Sequence, residues 1–444
     1  MKQTLKLHLI SLGCNKNLVD SEVMLARMNQ YIITNDVEEA DVIIVNTCGF
    51  IQSAKEESIQ TILELDENKK DGAILVATGC LTERYKDELQ NSIPEIDIMI
   101  GVGDYDKILT VIEEKHNLFS KKVFLIENDD RIIANSSYHA YIKLSEGCDQ
   151  KCSFCAIPTF KGTLQSRPIS MVIDEVKKLA DKGYFDFSFI AQDSSSYMRD
   201  QDDNEGLIKL INALDEEAIN NPNIKSARIL YLYPTTTNTK LIDTIRDSKL
   251  FHNYFDIPLQ HINTRVLKSM KRGLVGDKLV ELMEYINQVP NSFIRTSFIV
   301  GFPNESEAEF QELCEYVEEF GFDRINVFGY SDEEDTFSYE MSDKVSQETI
   351  DKRAEILGDI TTQSYQNSLE KMINQNIKLI IDGQSEEHEY LLSAKALEWA
   401  PEIDGEIYVN DTALEDELEV GKIYEAVITE IVGDKPIARV IKEV

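Results

Sequence analysis

Glu146-Gly147-Cys148-Asp149-Gln150-Lys151-Cys152-Ser153-Phe154-Cys155 spaces three thiols four and three residues apart. It follows directly on Ala140 to Leu144, an apolar run that reads as a strand. One loop can bring three thiolates at this spacing to a single metal centre. Zinc ribbons instead pair Cys-x-x-Cys with a distant second pair, and the stretch holds no fourth cysteine or histidine. Cubane iron-sulfur clusters normally take four cysteines, so a set of three leaves one iron open to a ligand from outside the chain. An open catalytic metal site has that property.

Downstream of the motif, strand candidates recur at Phe187 to Ala191, Ala227 to Leu232, Tyr254 to Ile257, Ile294 to Val300 and Arg324 to Phe328. Helical patterns such as Met171 to Ala180 and Glu305 to Phe320 separate them. Together with Ala140 to Leu144 they make six βα units, which predicts an open or partial (β/α)6 barrel. Upstream, Leu5 to Leu12, Val42 to Val45, Ala73 to Ala77 and Ile96 to Ile100 alternate with the amphipathic stretches Leu18 to Met28, Ser53 to Leu65 and Thr82 to Leu89. That βαβα order predicts a parallel sheet with helices on its faces. Residues 117 to 138 are polar and turn-rich, with Asn128-Asp129-Asp130 and Asn135-Ser136-Ser137, and read as a junction with a boundary near 130. A helical stretch from Ser346 to about Asn374 leads to strand-like runs at Ile377 to Ile381, Tyr390 to Ala394, Glu406 to Val409, Tyr424 to Ile431 and Ile437 to Ile441. The simplest reading of that end is a small all-β barrel.

Three further cysteines lie far apart but share a context. Cys14, Cys48 and Cys80 each follow a buried strand, in Leu12-Gly13-Cys14, Asn46-Thr47-Cys48-Gly49 and Thr78-Gly79-Cys80. The carboxyl ends of strands in an open parallel sheet lie together and form its ligand crevice, so these thiols can converge on a second site. A single strand-end cysteine would be read as a small buried apolar residue; three in the same position would not. Cys314 falls on an apolar stripe with Phe310, Leu313, Val317 and Phe320 and reads as core.

The 444 residues exceed one ordinary core and suit two or three domains. Lys plus Arg number 45 against 80 Asp plus Glu, a formal charge of −35, which disfavours a phosphate backbone as main partner and favours a basic protein. Acidic surface that only keeps the chain soluble is the plainer alternative. No apolar run approaches the roughly 20 residues that span a bilayer, and Met1 to Ile10 lacks a signal peptide's apolar core. A cytoplasmic protein without membrane contact is expected, and there seven cysteines point to metal rather than disulfides.

Cys-x-x-x-Cys-x-aromatic-Cys, with Phe154 in the aromatic slot, resembles the signature of radical S-adenosylmethionine (SAM) enzymes. The resemblance implies that a 4Fe-4S cluster on Cys148, Cys152 and Cys155 binds SAM through its open iron and cleaves it to methionine and a 5′-deoxyadenosyl radical. It also implies cofactor contacts near Phe154 and at strand ends, here Gln192, Asp193 and Gly301. With a second cysteine set and a terminal β-barrel, the chain looks like the methylthiotransferases. That resemblance implies a methylthiotransferase domain over residues 4–118, a radical SAM core over 132–364 and a TRAM domain of OB-like form over 367–440. Cys14, Cys48 and Cys80 would then hold a further 4Fe-4S cluster that carries sulfur, and an external electron donor is required.

One branch of that family modifies adenosine in transfer RNA, and another modifies an aspartate of small-subunit ribosomal protein S-twelve. Ser11-Leu12-Gly13-Cys14-Asn15-Lys16-Asn17-Leu18-Val19-Asp20-Ser21-Glu22, Lys143 to Cys148, and Ala400-Pro401-Glu402-Ile403-Asp404-Gly405 resemble the ribosomal-protein branch. Asn15 departs from it where proline is more usual. Residues 377–444 carry 6 Lys plus Arg against 17 Asp plus Glu, a net charge of −11, which suits docking of a basic protein better than of RNA. Tyr231-Leu232-Tyr233-Pro234 and Pro258-Leu259-Gln260-His261 are candidates to line the substrate cavity, with His261 either a general base or a satisfied loop histidine. A two-cluster electron carrier is the rival from another class, and it would leave some 200 residues of barrel without a purpose.

Overall fold

Val42-Ile43-Ile44-Val45, a β-branched run buried on both faces, lies at the middle of a five-stranded parallel sheet, as runs covered by helices on both sides do. In the computed structural model, which describes residues 5–127 and 129–444, the sheet comprises β1 (Lys6–Ser11), β2 (Ile32–Ile33), β3 (Val42–Thr47), β4 (Ile74–Gly79) and β5 (Ile98–Ile100) in the order β2-β1-β3-β4-β5. Residue 4, the expected start of the first domain, and Asn128 of the expected turn lie outside the described residues. The expected helix from Thr82 to Leu89 is two helices, Cys80–Arg84 and Lys86–Ser92, separated at Tyr85 (φ −124°, ψ 34°). Ahead of that break Arg84 reaches Glu333 of the next domain at 2.9 Å.

Residues 117–138 are more than a polar junction. Leu118 bridges to Ile100, Phe124 and Ile126 are buried, and Arg131 is buried between Glu22 of the first helix and Glu175 of the next domain. Its guanidinium also donates to the Tyr141 carbonyl at 2.7 Å. Composition registers the polar residues of this segment but not the apolar and charged side chains that fasten it.

The central domain is an open six-stranded parallel sheet: β6 (His139–Lys143), then β9 (Asp186–Ile190), β10 (Ser226–Ile229), β11 (Phe251–Asp256), β12 (Phe293–Val300) and β13 (Arg324–Gly329), each beside its predecessor. The two-residue strands β7 (Ser145–Glu146) and β8 (Gln165–Ser166) pair antiparallel and close the base of the cysteine loop. Cys314 is buried in this domain's core on the helix Glu307–Phe320, as the stripe predicts.

Ser346, whose hydroxyl accepts from the Thr349 amide, caps the helix Gln347–Glu370. Beyond it β14 (Asn376–Gln384), β15 (Leu392–Ala396), β16 (Ile407–Thr412), β17 (Ile423–Val432) and β18 (Lys435–Glu443) close a barrel in the order β14-β15-β16-β18-β17. The segment 400–405 leaves this barrel and plugs the central sheet. The Pro401 carbonyl accepts from Tyr141 Oη (3.0 Å), Asp404 Oδ2 from Tyr254 Oη (2.7 Å), and the Asp404 carbonyl from Arg324 (2.6 Å).

Candidate metal centres

Each dispersed cysteine sits where a parallel strand ends: Cys48 directly behind β3, Cys80 directly behind β4, and Cys14 three residues past β1. The three strands are neighbours in one parallel sheet, so their carboxyl ends share one edge. Asn17 joins the three loops. Its Nδ2 donates to the carbonyls of Leu12 (3.1 Å) and Thr47 (3.0 Å), and its Oδ1 accepts from the Cys80 thiol at 3.7 Å. Gly13 (φ +83°) packs so closely on Cys48 that a methyl group there would lie 2.8 Å from Sγ.

The second set is fastened just as firmly. The Cys148 amide donates to the Gly162 carbonyl (3.1 Å), and the Ser153 amide and hydroxyl donate to the carbonyls of Met270 (3.0 Å) and Ser269 (2.9 Å). Gly147 (φ +77°) leaves no room for a side chain, since a methyl would stand 2.1 Å from the Thr163 carbonyl oxygen. Cys80 packs in one small apolar cluster with Ala156, the residue after Cys155, and with Phe160, so this thiol of the first set lies at the contact between the two domains.

A buried charged network lines that contact. Lys143 pairs with Asp20 and, at 2.7 Å, with Glu146; Lys161 stands 3.5 Å from both carboxylates. Gln192 Nε2 donates to Glu146. Despite burial, these lysines hold the Glu146 carboxyl down to about 2. Lys16 places its ammonium 3.6 Å from the centre of the Tyr231 ring, a cation-π contact across the two domains.

Burial pushes the thiols of Cys80, Cys148 and Cys155 up to about 12 and raises that of Cys48. Neighbouring cysteines add to the rise: Cys14 and Cys48 act on Cys80, and Cys152 and Cys148 on Cys155. Thiols bind metal only with loss of their protons, and burial makes that loss harder for these four, whereas Cys14 is exposed. Among the described residues no three His, Cys, Asp or Glu side chains close on a single ion. A cubane makes a wider demand, because each thiolate binds a different iron, and three neighbouring thiols in a fixed loop suit that demand.

The residues expected to meet SAM separate into two kinds. Asp193 spends its carboxylate on this chain: it accepts from Ser195 Oγ (2.7 Å), Ser196 Oγ (2.6 Å) and Gln150 Nε2 (2.9 Å), and through Gln150 it steadies the cysteine loop. Gln192 keeps a buried Oε1 without a partner. Gly301 (φ +74°) ends β12 and donates its amide to Glu305 Oε2 at 2.6 Å. Phe154 lies partly buried against the central core. His261 is fully buried, and its Nδ1 accepts the amides of Ile262 and Asn263 at 2.9 Å each. Burial holds it down to about 3, and its Nε2 is buried without a partner, so the ring is tied to its own loop through Nδ1 alone. Sequence reasoning missed Asn17, Lys16, Lys161 and Arg272; the last lies 3.6 Å from Cys152 Sγ.

Three family models match in succession: "Uncharacterized protein family UPF0004" over residues 6–101, the radical SAM superfamily over 142–317 and the TRAM domain over 373–441. Among relatives, the "Ribosomal protein uS12 methylthiotransferase RimO" of Sulfurovum sp. (strain NBC37-1) is 58% identical over 99% of both chains. The protein of that name from Aliarcobacter butzleri is 58% identical over 98% of both, and that from Campylobacter jejuni (strain RM1221) 51% over 99% of both. Among solved structures, the radical SAM methyltransferase TsrM from Kitasatospora setae, with tryptophan and a SAM analogue bound, aligns over 73% of each chain with a TM-score of 0.54. At 12% identity that likeness is one of fold.

Proposed function

The chain belongs to the radical SAM methylthiotransferase family, and from that premise we propose that it transfers a methylthio group to the β-carbon of an aspartate in small-subunit ribosomal protein uS12. The observation that carries this reading is the full-length likeness to relatives bearing that name, supported by Cys80 packing against Ala156, the neighbour of Cys155. We further propose 4Fe-4S clusters on Cys14, Cys48 and Cys80 and on Cys148, Cys152 and Cys155, in domains spanning about 4–118, 132–364 and 367–440 of this sequence.

When bound, the clusters and SAM supply a carbon radical able to take hydrogen from an unactivated C–H bond, together with the sulfur and methyl of the new group. The chain's own residues do the rest. Gln150, Asp193 and the Ser153 bonds hold the radical-site loop in register. Gln192 through its unpartnered Oε1, Phe154 and the Gly301 carbonyl side of the backbone would hold the cofactor, and Asn17 fixes the other thiol set. Lys16 with Tyr231, and Lys143 and Lys161 with Asp20 and Glu146, join the two domains beside the thiols. An acidic carboxyl-terminal barrel, net −11 over 377–444, suits a basic protein substrate better than transfer RNA. The working place is the cytoplasm, with an external electron donor; among the described residues no helix is long and apolar enough to cross a membrane.

Paired variants test the division of labour. Cys152→Ala abolishes formation of 5′-deoxyadenosine, whereas Cys48→Ala stops sulfur insertion and leaves some SAM cleavage. Wild-type cleavage by Cys152→Ala, or unchanged product from Cys48→Ala, removes the corresponding thiol set from the mechanism.

A further inference from the structure

Arg272 is a buried guanidinium beside the radical-site thiols. Its Nη1 lies 3.6 Å from Cys152 Sγ, its Nη2 donates to the Pro258 carbonyl, and its guanidinium carbon stands 4.1 Å from the centre of the Tyr233 ring. Tyr233 Oη is itself 3.6 Å from the same sulfur. Among the described residues none of these partners of Arg272 is a carboxylate.

The position is enforced by backbone geometry. Arg272 follows Lys271, whose φ of +56° turns the chain, and its amide donates to the Leu267 carbonyl at 2.8 Å. The two residues before Lys271, Ser269 and Met270, accept the hydrogen bonds from Ser153 that fasten the cysteine loop. The loop that carries the cation is thus bonded to the loop that carries the thiols.

A buried charge without a partner is costly. The other buried arginines that join these domains have carboxylates: Arg84 has Glu333, and Arg131 has Glu22 and Glu175. Arg272 faces sulfur instead, and its charge also acts on Cys155, whose thiol it lowers against the effect of burial. Thiolates bound to a cubane carry net negative charge, and hydrogen bonds and charge at those sulfurs set a cluster's reduction potential.

We propose that Arg272 is the resident counter-charge of the cluster on Cys148, Cys152 and Cys155, and that with Tyr233 it donates to the Cys152 sulfur and raises the reduction potential of that site. Arg272 is thereby a positioning and tuning residue. The inference rests on the reading of those cysteines as cluster ligands.

The test is a redox titration of the full-length, anaerobically reconstituted protein with dithionite, read through the EPR signal that responds to added SAM. Arg272→Gln is expected to make reduction at least tenfold less favourable, a downward shift of about 59 mV for one electron. Arg272→Lys, which keeps the charge, stays closer to wild type, and Tyr233→Phe shifts the same way by less. If Arg272→Gln holds its iron and its midpoint does not move, the inference is overturned. If Arg272→Gln loses this cluster while Arg272→Lys keeps it, the counter-charge role stands; loss in both shows a packing role and overturns it. Absence of a SAM-responsive signal in the wild type would instead defeat the ligand assignment beneath it.

Discussion

Replacing Gly13 by alanine puts a methyl group where the structure has Cys48. The new Cβ would stand 2.7 Å from Cys48 Cβ and 2.8 Å from its Sγ, against roughly 3.5–4.0 Å for comfortable contact between such atoms. One side must therefore retreat by about 1 Å. Cys48 is the less able to do so, because its amide donates to Ser58 Oγ (3.0 Å) and its carbonyl accepts from that hydroxyl (2.9 Å), which ties it to the helix Gln52–Asn68. The displacement falls on Gly13 and hence on Cys14. Alanine at φ +83° costs about 1–2 kcal/mol by itself, and overpacking adds about 1–3 kcal/mol.

Gly72 provides the control, since its φ of +80° is nearly the same and nothing lies within 4 Å of its would-be methyl. Gly72→Ala should lose only the backbone cost and keep all its iron. Gly13→Ala should be less stable than Gly72→Ala by about 1–3 kcal/mol in urea unfolding, and after anaerobic reconstitution its iron should fall to about half of wild type, with the SAM-responsive EPR signal intact. Wild-type iron content in Gly13→Ala would refute the convergence of Cys14 and Cys48 on one cluster.

Two further outcomes follow from buried charge. Arg131→Met leaves Glu22 buried without its guanidinium, while Glu175 keeps Arg167 at 2.6 Å, and should cost about 3 kcal/mol of stability; adding Glu22→Gln should recover most of it, and equal denaturation midpoints for Arg131→Met and wild type would contradict the burial argument. Burial holds His261 down to about 3 and His139 well below its usual value, so the unfolded chain takes up protons on these rings first as pH falls below about 6.5. Stability is present above that pH and declines below it, by about 1.4 kcal/mol per ring at pH 5.5. His261→Asn, which keeps an acceptor near Nδ1, should lose about that much less stability than wild type between pH 7.5 and 5.5, and an identical loss in both would show that His261 titrates normally.

Strand by strand, the sheet and the barrel were legible because burial writes itself into β-branched runs: Val42 to Val45 and Ile294 to Val300 fall inside β3 and β12. The cysteines were legible through position, each at a strand end or in one short motif. Single residues whose meaning depends on distant partners carried no such pattern. Asn17 reads as an ordinary polar residue at a helix start until Leu12, Thr47 and Cys80 fold around it. Arg272 reads as one more charge in Lys271-Arg272-Gly273 until Cys152 and Tyr233 meet it. For Asp193 the strand-end position was visible, but not that Gln150, Ser195 and Ser196 occupy its oxygens.

Intact-mass analysis of ribosomal protein uS12, after incubation with the anaerobically reconstituted enzyme, SAM, a sulfide source and a reductant, bears most directly on the transfer reaction. The account predicts a gain equal to one methylthio group, located by fragmentation on a single aspartate. An unchanged uS12 mass with 5′-deoxyadenosine still formed would contradict the protein-substrate assignment, and the same gain on transfer RNA would put the other branch of the family in its place.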